Sequence, residues 1–385
     1  MTILLKKGIM DELDESIKKQ GYSGSTDIPK IVYLAAISRV FDDPVSLVVM
    51  GPSGSGKTYS IESGLQFITP SAIESIAGMS EKALPYLNIP LKHRVLFLGE
   101  ASGMADGQGR TFLRQLMTEG KIDYLTVQKS QNGMDGAKLP TTEGPVCFMM
   151  ATTANRIHHE DQSRMLVLNM VEDPARVREA LRNQARGLTK STVKLDLTPW
   201  HDLCDYIADN KMTVRIPYAE RIADLLPTTG YKIQRDFPKV LALVRACALV
   251  HYNQRQTEGE SGILADRSDY ETVYALINKP LSEGIEATVK QPVRTVVEKV
   301  AELQAVGHSG DGISHSKLAE VLGIDRSTVG RNINAGISAG YLENRNPGQG
   351  KEAKVVLGER KLENGSVLPS PDEVFHSQRK PALAW

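Results

Sequence analysis

The sequence predicts an α/β protein: a P-loop core on a parallel sheet, then a helical lid, then a C-terminal winged helix-turn-helix. Three observations predict it. The stretch "SLVVMGPSGSGKTYS" sets a glycine-rich loop between an apolar run and a helix-like segment. Two further apolar runs, "HRVLFLGEAS" and "VCFMMATT", are continuous, as parallel strands covered on both faces should be. From about Gln291 the pattern changes to short amphipathic segments divided by glycine turns.

Composition sets the outer limits. A chain of 385 residues can bury two or three modest cores. With 46 basic and 46 acidic residues it has no overall charge bias, so any nucleic-acid surface must be local. The cysteines Cys147, Cys204 and Cys247 are odd in number and widely spaced, which suits neither a disulfide framework nor a zinc site. The opening "MTILLKKGIMDELDESIKK" lacks the apolar centre of a signal peptide, and no run is long enough to span a membrane. A soluble, cytoplasmic protein is expected.

Gly51, Gly56, Lys57 and Thr58 satisfy G-x-x-x-x-G-K-[ST] in full. In such a loop, Gly51, Pro52, Ser53, Gly54, Ser55 and Gly56 turn backbone N–H groups toward a phosphate. Lys57 reaches the β- and γ-phosphates, and Thr58 offers a hydroxyl to Mg²⁺. Thr58 and Tyr59 open the segment "TYSIESGLQFI", a helix whose N-terminus favours an anion. ATP with Mg²⁺ is the expected ligand.

At the end of "RVLFL" stands Glu100, placed to activate water and to lie near Mg²⁺. Gly99 precedes it where an aspartate is usual, so metal coordination falls to Thr58, the phosphates and water. The helix "TFLRQLM" comes next, then a β-hairpin made by "KIDYLTVQK", a tip "SQNGMDG" and a return arm. Lys129 and Lys138 are expected close to that tip. The strand "VCFMMATT" ends in Thr152 and Thr153, with Asn155 beyond, where Thr153 can align the attacking water. His158 and His159 are adjacent and diverge, a poor metal pair.

In this order the parts resemble an AAA+ ATPase, and most closely the minichromosome-maintenance helicases and their relatives on phages and mobile elements. The resemblance spans roughly residues 44–290 and implies several roles. The "SR" pair matches Arg164 to an arginine finger acting on the neighbouring subunit's γ-phosphate. The stretch "YKIQRDFPKVLALVRACALVHYNQR" is similar to the sensor-2 helix, with Arg235 facing nucleotide. "GILADRSDYETVYALINKPL" resembles the last lid helix, with serine and aspartate suited to capping. The 43 residues ahead of the core are not expected to hold the oligonucleotide-binding, zinc-bearing domain of those helicases.

"RTVVEKVAELQAV" reads as an amphipathic helix, and "SHSKLAEVLGIDRSTVGRNINAGISAG" as helix, turn at Gly323, helix. Ser314 or His315 opens the first helix of that pair, and Asp325 caps the second. "YLENRNPGQGKEAKVVLG" adds strand, glycine-rich turn, strand. A DNA-reading face would hold Arg326, Ser327, Thr328 and Arg331, with Lys351 on the wing. Between Ser314 and Arg360 there are seven Lys/Arg and five Asp/Glu, a weak basic excess. Winged helices also dock proteins, and both roles stay open.

The expected organisation is an N-terminal helical segment (1–43), the core with its hairpin (44–175), the lid (176–290), the winged helix (291–360) and a flexible tail (361–385). The resemblance implies a ring, expected to be a homo-hexamer, driven by ATP along single-stranded DNA during replication of a phage or mobile element. A primase or loader would be its partner, and no membrane is involved. The alternative is an ATP-switched DNA-binding regulator or loader without unwinding activity.

Overall fold

The computed structural model describes residues 8–87, 89–99, 107–130, 133–153, 159–170, 173–189, 195–227, 231–286, 291–305, 312–346, 348, 353–358 and 367–376. Helices α1 (Ile9–Lys19) and α2 (Asp27–Ile37) precede β1 (Leu47–Met50), which runs through the glycine-rich loop into α3 (Lys57–Leu65). Then come β2 (Ile73–Ile76), β3 (Arg94–Leu98) and α4 (Gln108–Glu119). A two-part hairpin follows: β4 (Lys121–Ile122) pairs with β7 (Thr142–Glu143) at its base, and β5 (Leu125–Ser130) with β6 (Gly133–Lys138) beyond. The chain returns through β8 (Val146–Thr152), the short α5 (His159–Gln162) and β9 (Leu166–Asn169).

Five strands form one sheet in the order β2-β3-β8-β1-β9, and every pairing in it is parallel. The protein is therefore α/β, as its apolar runs require: a parallel strand has side chains on two covered faces and no solvent side. On one face Val48, Leu96 and Phe148 pack with Phe112, Leu113 and Leu116 of α4. The opposite face is covered by α2 and α3, and Cys147 of β8 donates from its thiol to the Ala35 carbonyl of α2 at 3.3 Å. Every residue of "IVYLAAI" in α2 is buried, which a helix apolar on all sides needs. Each large aliphatic side chain buried in this way contributes about 1.5–3 kcal/mol. Hence the N-terminal helices share one compact unit with the sheet.

After β9 come α6 (Pro174–Thr189), α7 (Thr198–Asn210), β10 (Thr213–Arg215), α8 (Ala219–Leu225), α9 (Tyr231–Val250), β11 (Thr257–Glu258), β12 (Gly262–Leu264) and α10 (Arg267–Glu286). Strands β10 and β12 pair parallel, and β11 joins β12 antiparallel. Helix α9 packs on α2 and α7. No helix among the described residues is long and apolar enough to cross a membrane.

A second compact unit takes in Leu281–Val367 with residues 227–230. It contains α11 (Gln291–Ala305), α12 (His315–Leu322), α13 (Arg326–Ser338) and the antiparallel pair β13 (Leu342–Asn344) and β14 (Val355–Leu357), with Ile313 bridging to Val355. Val296, Leu318, Val329, Ile333 and Val355 close its core. Ser314 caps α12 by accepting from the Lys317 N–H, and Asp325 caps α13 by accepting from those of Ser327 and Thr328.

One expectation is corrected by the fold. Part of the segment read as a flexible tail is folded: residues 367–376 include α14 (Pro371–Phe375), whose Ser370 and Glu373 form a reciprocal capping box. Leu368 and Val374 are buried, and the Tyr270 hydroxyl donates to the Pro369 carbonyl at 2.7 Å. The local composition is polar, but its few apolar side chains find a ready surface on α8 and α10.

Candidate functional site

The loop after β1 leaves the sheet at its carboxyl edge. Its first residue, Gly51, donates from its N–H to the Thr152 carbonyl of β8 at 3.3 Å. Gly54 and Gly56 hold left-handed backbone conformations, and α3 starts at Lys57. Lys57 is a buried residue, and its ammonium donates to the Pro52 carbonyl at 2.7 Å across the loop. Burial holds its pKa below the usual lysine value. A helix N-terminus, two left-handed glycines and a partly desolvated ammonium together make a cradle able to hold a phosphate, with Thr58 one residue further on.

Three strand ends meet at this edge. β8 lies between β1 and β3, so Thr153 falls between the loop and the segment that leaves β3 at Gly99. Neighbouring strands are about 4.8 Å apart, so a group bound in the loop is within reach of both. Thr153 is solvent-exposed there. Glu100 lies outside the described residues. Such a crevice beyond the carboxyl ends of parallel strands is the usual ligand position in open α/β sheets.

Arg164 and Arg235 stand at the other edge. β9 aligns Leu166 with Leu47 and Asn169 with Met50, which puts Arg164 before the amino end of the sheet. At about 3.3 Å per residue it lies roughly 20 Å from the level of Gly51, too far for its side chain to reach the loop of its own chain. Its guanidinium donates to the Thr118 hydroxyl at 2.9 Å and the Glu160 carbonyl at 2.7 Å. Arg235, from α9, donates to the Ser163 hydroxyl at 2.6 Å. Lys239, one turn on, donates to the Ser163 carbonyl at 3.1 Å and to Asp236 at 2.8 Å. Arg114 of α4 pairs with Asp161 at 2.5 Å and with Glu160. This arginine-rich edge, assembled from α4, α5 and α9, was legible in the sequence only for Arg164 and Arg235.

The hairpin register corrects a second expectation. Lys129 faces Met134, one pair from the end of the ladder, but Lys138 faces Leu125 at the opposite end. Five residue steps, about 17 Å, separate Lys138 from the closing pair. Its ammonium lies 3.5 Å from Asp123, whose pKa is held down at about 2 by the Thr141 hydroxyl and then Lys121. The reason is that "GMDG", read as part of the tip, is the start of the return arm.

In the second unit Arg326, Ser327, Thr328 and Arg331 occupy the first turns of α13, and Arg331 donates to the Thr328 hydroxyl at 3.0 Å. Arg326, Ser327 and Arg331 are exposed and Thr328 is partly buried, while Lys351 lies outside the described residues. The hydroxyls and N–H groups of Ser327 and Thr328 hold the Asp325 carboxyl far below the ordinary aspartate range, so a permanent negative charge stands beside these cations.

Two features carried little sequence signal. Tyr59 is half exposed and stacks on Tyr22, with ring centroids 5.7 Å apart and planes 14° from parallel. The Tyr22 hydroxyl in turn meets that of Ser60, at 2.8 Å. Arg176 of α6 also reaches the glycine-rich loop, donating to the Ser55 carbonyl. Its signal was the spacing of Arg176, Glu179 and Asn183 along one face of α6.

Cys247, His251 and Asp269 gather their ligand atoms within 4.8 Å in the interior. Arg255 takes both Asp269 oxygens at 2.7 and 2.6 Å, and the His251 Nδ1 sits 2.9 Å from the Cys247 carbonyl. A guanidinium already fills the cation position, so this is a buried ion-pair hub. No protein-family model matches the chain, and no curated protein matches it.

Proposed function

We propose that the protein is an ATPase of the AAA+ type, resembling minichromosome-maintenance helicases, that moves along single-stranded DNA as a ring of identical subunits, six by resemblance. The observation that carries the reading is the separation of two half-sites. The phosphate cradle of Gly51–Thr58 is at the carboxyl edge of the sheet, and Arg164 with Arg235 at the amino edge. An arginine that cannot reach its own loop is useful to hydrolysis only on the loop of the next subunit, which makes assembly a condition of turnover.

On this reading Lys57 and Thr58 hold the β- and γ-phosphates and Mg²⁺, Glu100 activates water, and Thr153 aligns it. Arg164 and Arg235 of the neighbour offset the charge that develops on the γ-phosphate. The hairpin would carry Lys129 to the backbone of a single strand, a sequence-independent contact that exchanges readily. The unit spanning α11 to β14 is a winged helix, with α13 addressed to a duplex or to a partner such as a primase or loader.

Gly99 and the capped, weakly basic α13 favour a second reading, an ATP-switched DNA-binding regulator or loader. Steady-state ATPase activity with and without single-stranded DNA separates the two, with Lys57→Ala and Arg164→Ala as controls. Strong stimulation that disappears in both variants supports the translocating ring. Slow turnover indifferent to single strands rules it out in favour of the switch.

A further inference from the structure

Helix α6 presents three side chains to the rest of its unit along one face, at i, i+3 and i+7. Asn183 donates its amide to the Gly21 carbonyl at 3.1 Å and to the Ser23 hydroxyl at 3.0 Å. Glu179 accepts from the Gly24 N–H at 3.0 Å. These two residues fasten α6 to the turn between α1 and α2. The third residue, Arg176, extends past that turn to the phosphate loop.

Two glycines make its path. A Cβ on Gly24 would lie 2.8 Å from the Arg176 Cδ, and one on Gly56 would lie 2.7 Å from its Nη2. Both glycines are also left-handed, at φ 83°. The arm thus occupies space that any other residue at either position would fill. Among the described residues Arg176 donates to the Ser55 carbonyl alone and pairs with no carboxylate. A guanidinium carries five N–H donors in a planar fork suited to phosphate oxygens. A half-buried arginine at a helix–loop anion cradle, with donors to spare and, among the described residues, no carboxylate paired to it, is placed to take an anion.

We propose that Arg176 is a second phosphate-binding cation of this site, acting in cis, and that it ties nucleotide occupancy to helix α6. The proposal rests on the nucleotide reading of the loop given above. Lys57 approaches the phosphate chain from within the loop, and Arg176 from outside it, over the Ser55–Gly56 corner. Because α6 is fastened through Glu179 and Asn183, drawing its guanidinium onto a phosphate loads the helix itself.

The test is equilibrium binding of MgATP, MgADP and inorganic tripolyphosphate to the full chain, for wild type, Lys57→Ala, Arg176→Ala and Arg176→Gln. The glutamine retains a donor for the Ser55 carbonyl without the charge, and thermal melting reports whether each variant is folded. The expected result is a loss of about tenfold or more for all three ligands in both Arg176 variants. Slower amide hydrogen exchange in α6 on adding MgADP is expected in wild type and not in Arg176→Gln. Wild-type affinity for every ligand in folded Arg176→Gln would overturn the proposal and leave the nucleotide reading intact. A loss for the nucleotides with tripolyphosphate unaffected also overturns it, since the contact would then be to the nucleoside. If wild type binds none of the three, the nucleotide reading fails first, and this assignment with it.

Discussion

Arg235 donates a 2.6 Å hydrogen bond to Ser163, the residue immediately before Arg164, so two arginines far apart in the chain are held side by side at the amino edge of the sheet. That pairing makes complementation the sharpest test of a shared site. Lys57→Ala and Arg164→Ala should each be inactive alone, with losses of about 10³-fold or more for the arginine. Mixed, they should recover activity, because some interfaces then unite an intact loop with an intact arginine. Arg235→Ala should complement Lys57→Ala in the same way. A mixture no more active than its components would mean that the two edges serve no common site.

The hairpin register separates two lysines that the sequence treats alike. Lys129→Ala should lower stimulation by single-stranded DNA. If Lys129 neutralises one phosphate, the slope of log affinity against log salt should become shallower by about 0.7. Lys138→Ala should leave both unchanged, since its ammonium faces Asp123 at the hairpin base. Binding isotherms at several salt concentrations decide the matter, and equal effects from the two lysines would contradict the register argument.

On α13, Arg331→Ala should weaken duplex binding, with a slope in log salt shallower by about 0.9 if Arg331 neutralises one phosphate. ATPase activity without DNA should be unaffected. If duplex binding is unchanged in Arg331→Ala and Arg326→Ala alike, α13 is not a DNA-reading helix and the docking role is favoured.

Residues 367–376 are predicted to stabilise the unit that holds the sheet. Ending the chain at residue 366 removes buried Leu368 and Val374, worth about 1.5–3 kcal/mol each at full burial, and the Tyr270 bond to Pro369. Tyr270→Phe alone should cost about 0.5–1.5 kcal/mol. Denaturant unfolding measures both, and a truncated chain as stable as the full one would show this docking to be energetically idle.

His251 gives the pH dependence a sign. Burial, and then the nearby Arg255, hold its pKa below the ordinary value of 6.5, partly opposed by the Cys247 carbonyl, Asp269 and Asp266. Above that value the ring is neutral folded or unfolded, and contributes no slope. As the pH falls below 6.5 the unfolded chain takes up a proton that the folded chain resists, so stability should fall until the folded pKa is passed. His251→Asn should flatten the fall in melting temperature below pH 6.5 relative to wild type. An unchanged slope would assign the acid sensitivity to other groups.

Much of the candidate site is encoded locally. Gly51 to Thr58 spell out a glycine-rich loop able to hold a phosphate, because such chemistry needs consecutive residues of fixed type, and the loop folds between a strand and a helix as that spacing requires. The parallel sheet was equally plain, since strands covered on both faces must be apolar throughout. The N-caps at Ser314 and Asp325 could be read because a cap acts within three residues. Hairpin register was harder: glycine and asparagine mark a turn, and glycine also occurs in the strand that follows.

The sequence by itself determined the glycine-rich loop between strand and helix, the α/β class and the succession of α12, a turn at Gly323 and α13, each of which is encoded over a handful of neighbouring residues. Only the tertiary structure decided which distant side chains share an edge. It set Arg164 beside Arg235 and away from their own loop, brought Arg176 across two glycines to Ser55, and docked residues 367–376 onto a helical surface. Such placements depend on strand order and on packing between elements far apart in the chain, and no local pattern of residue types specifies either.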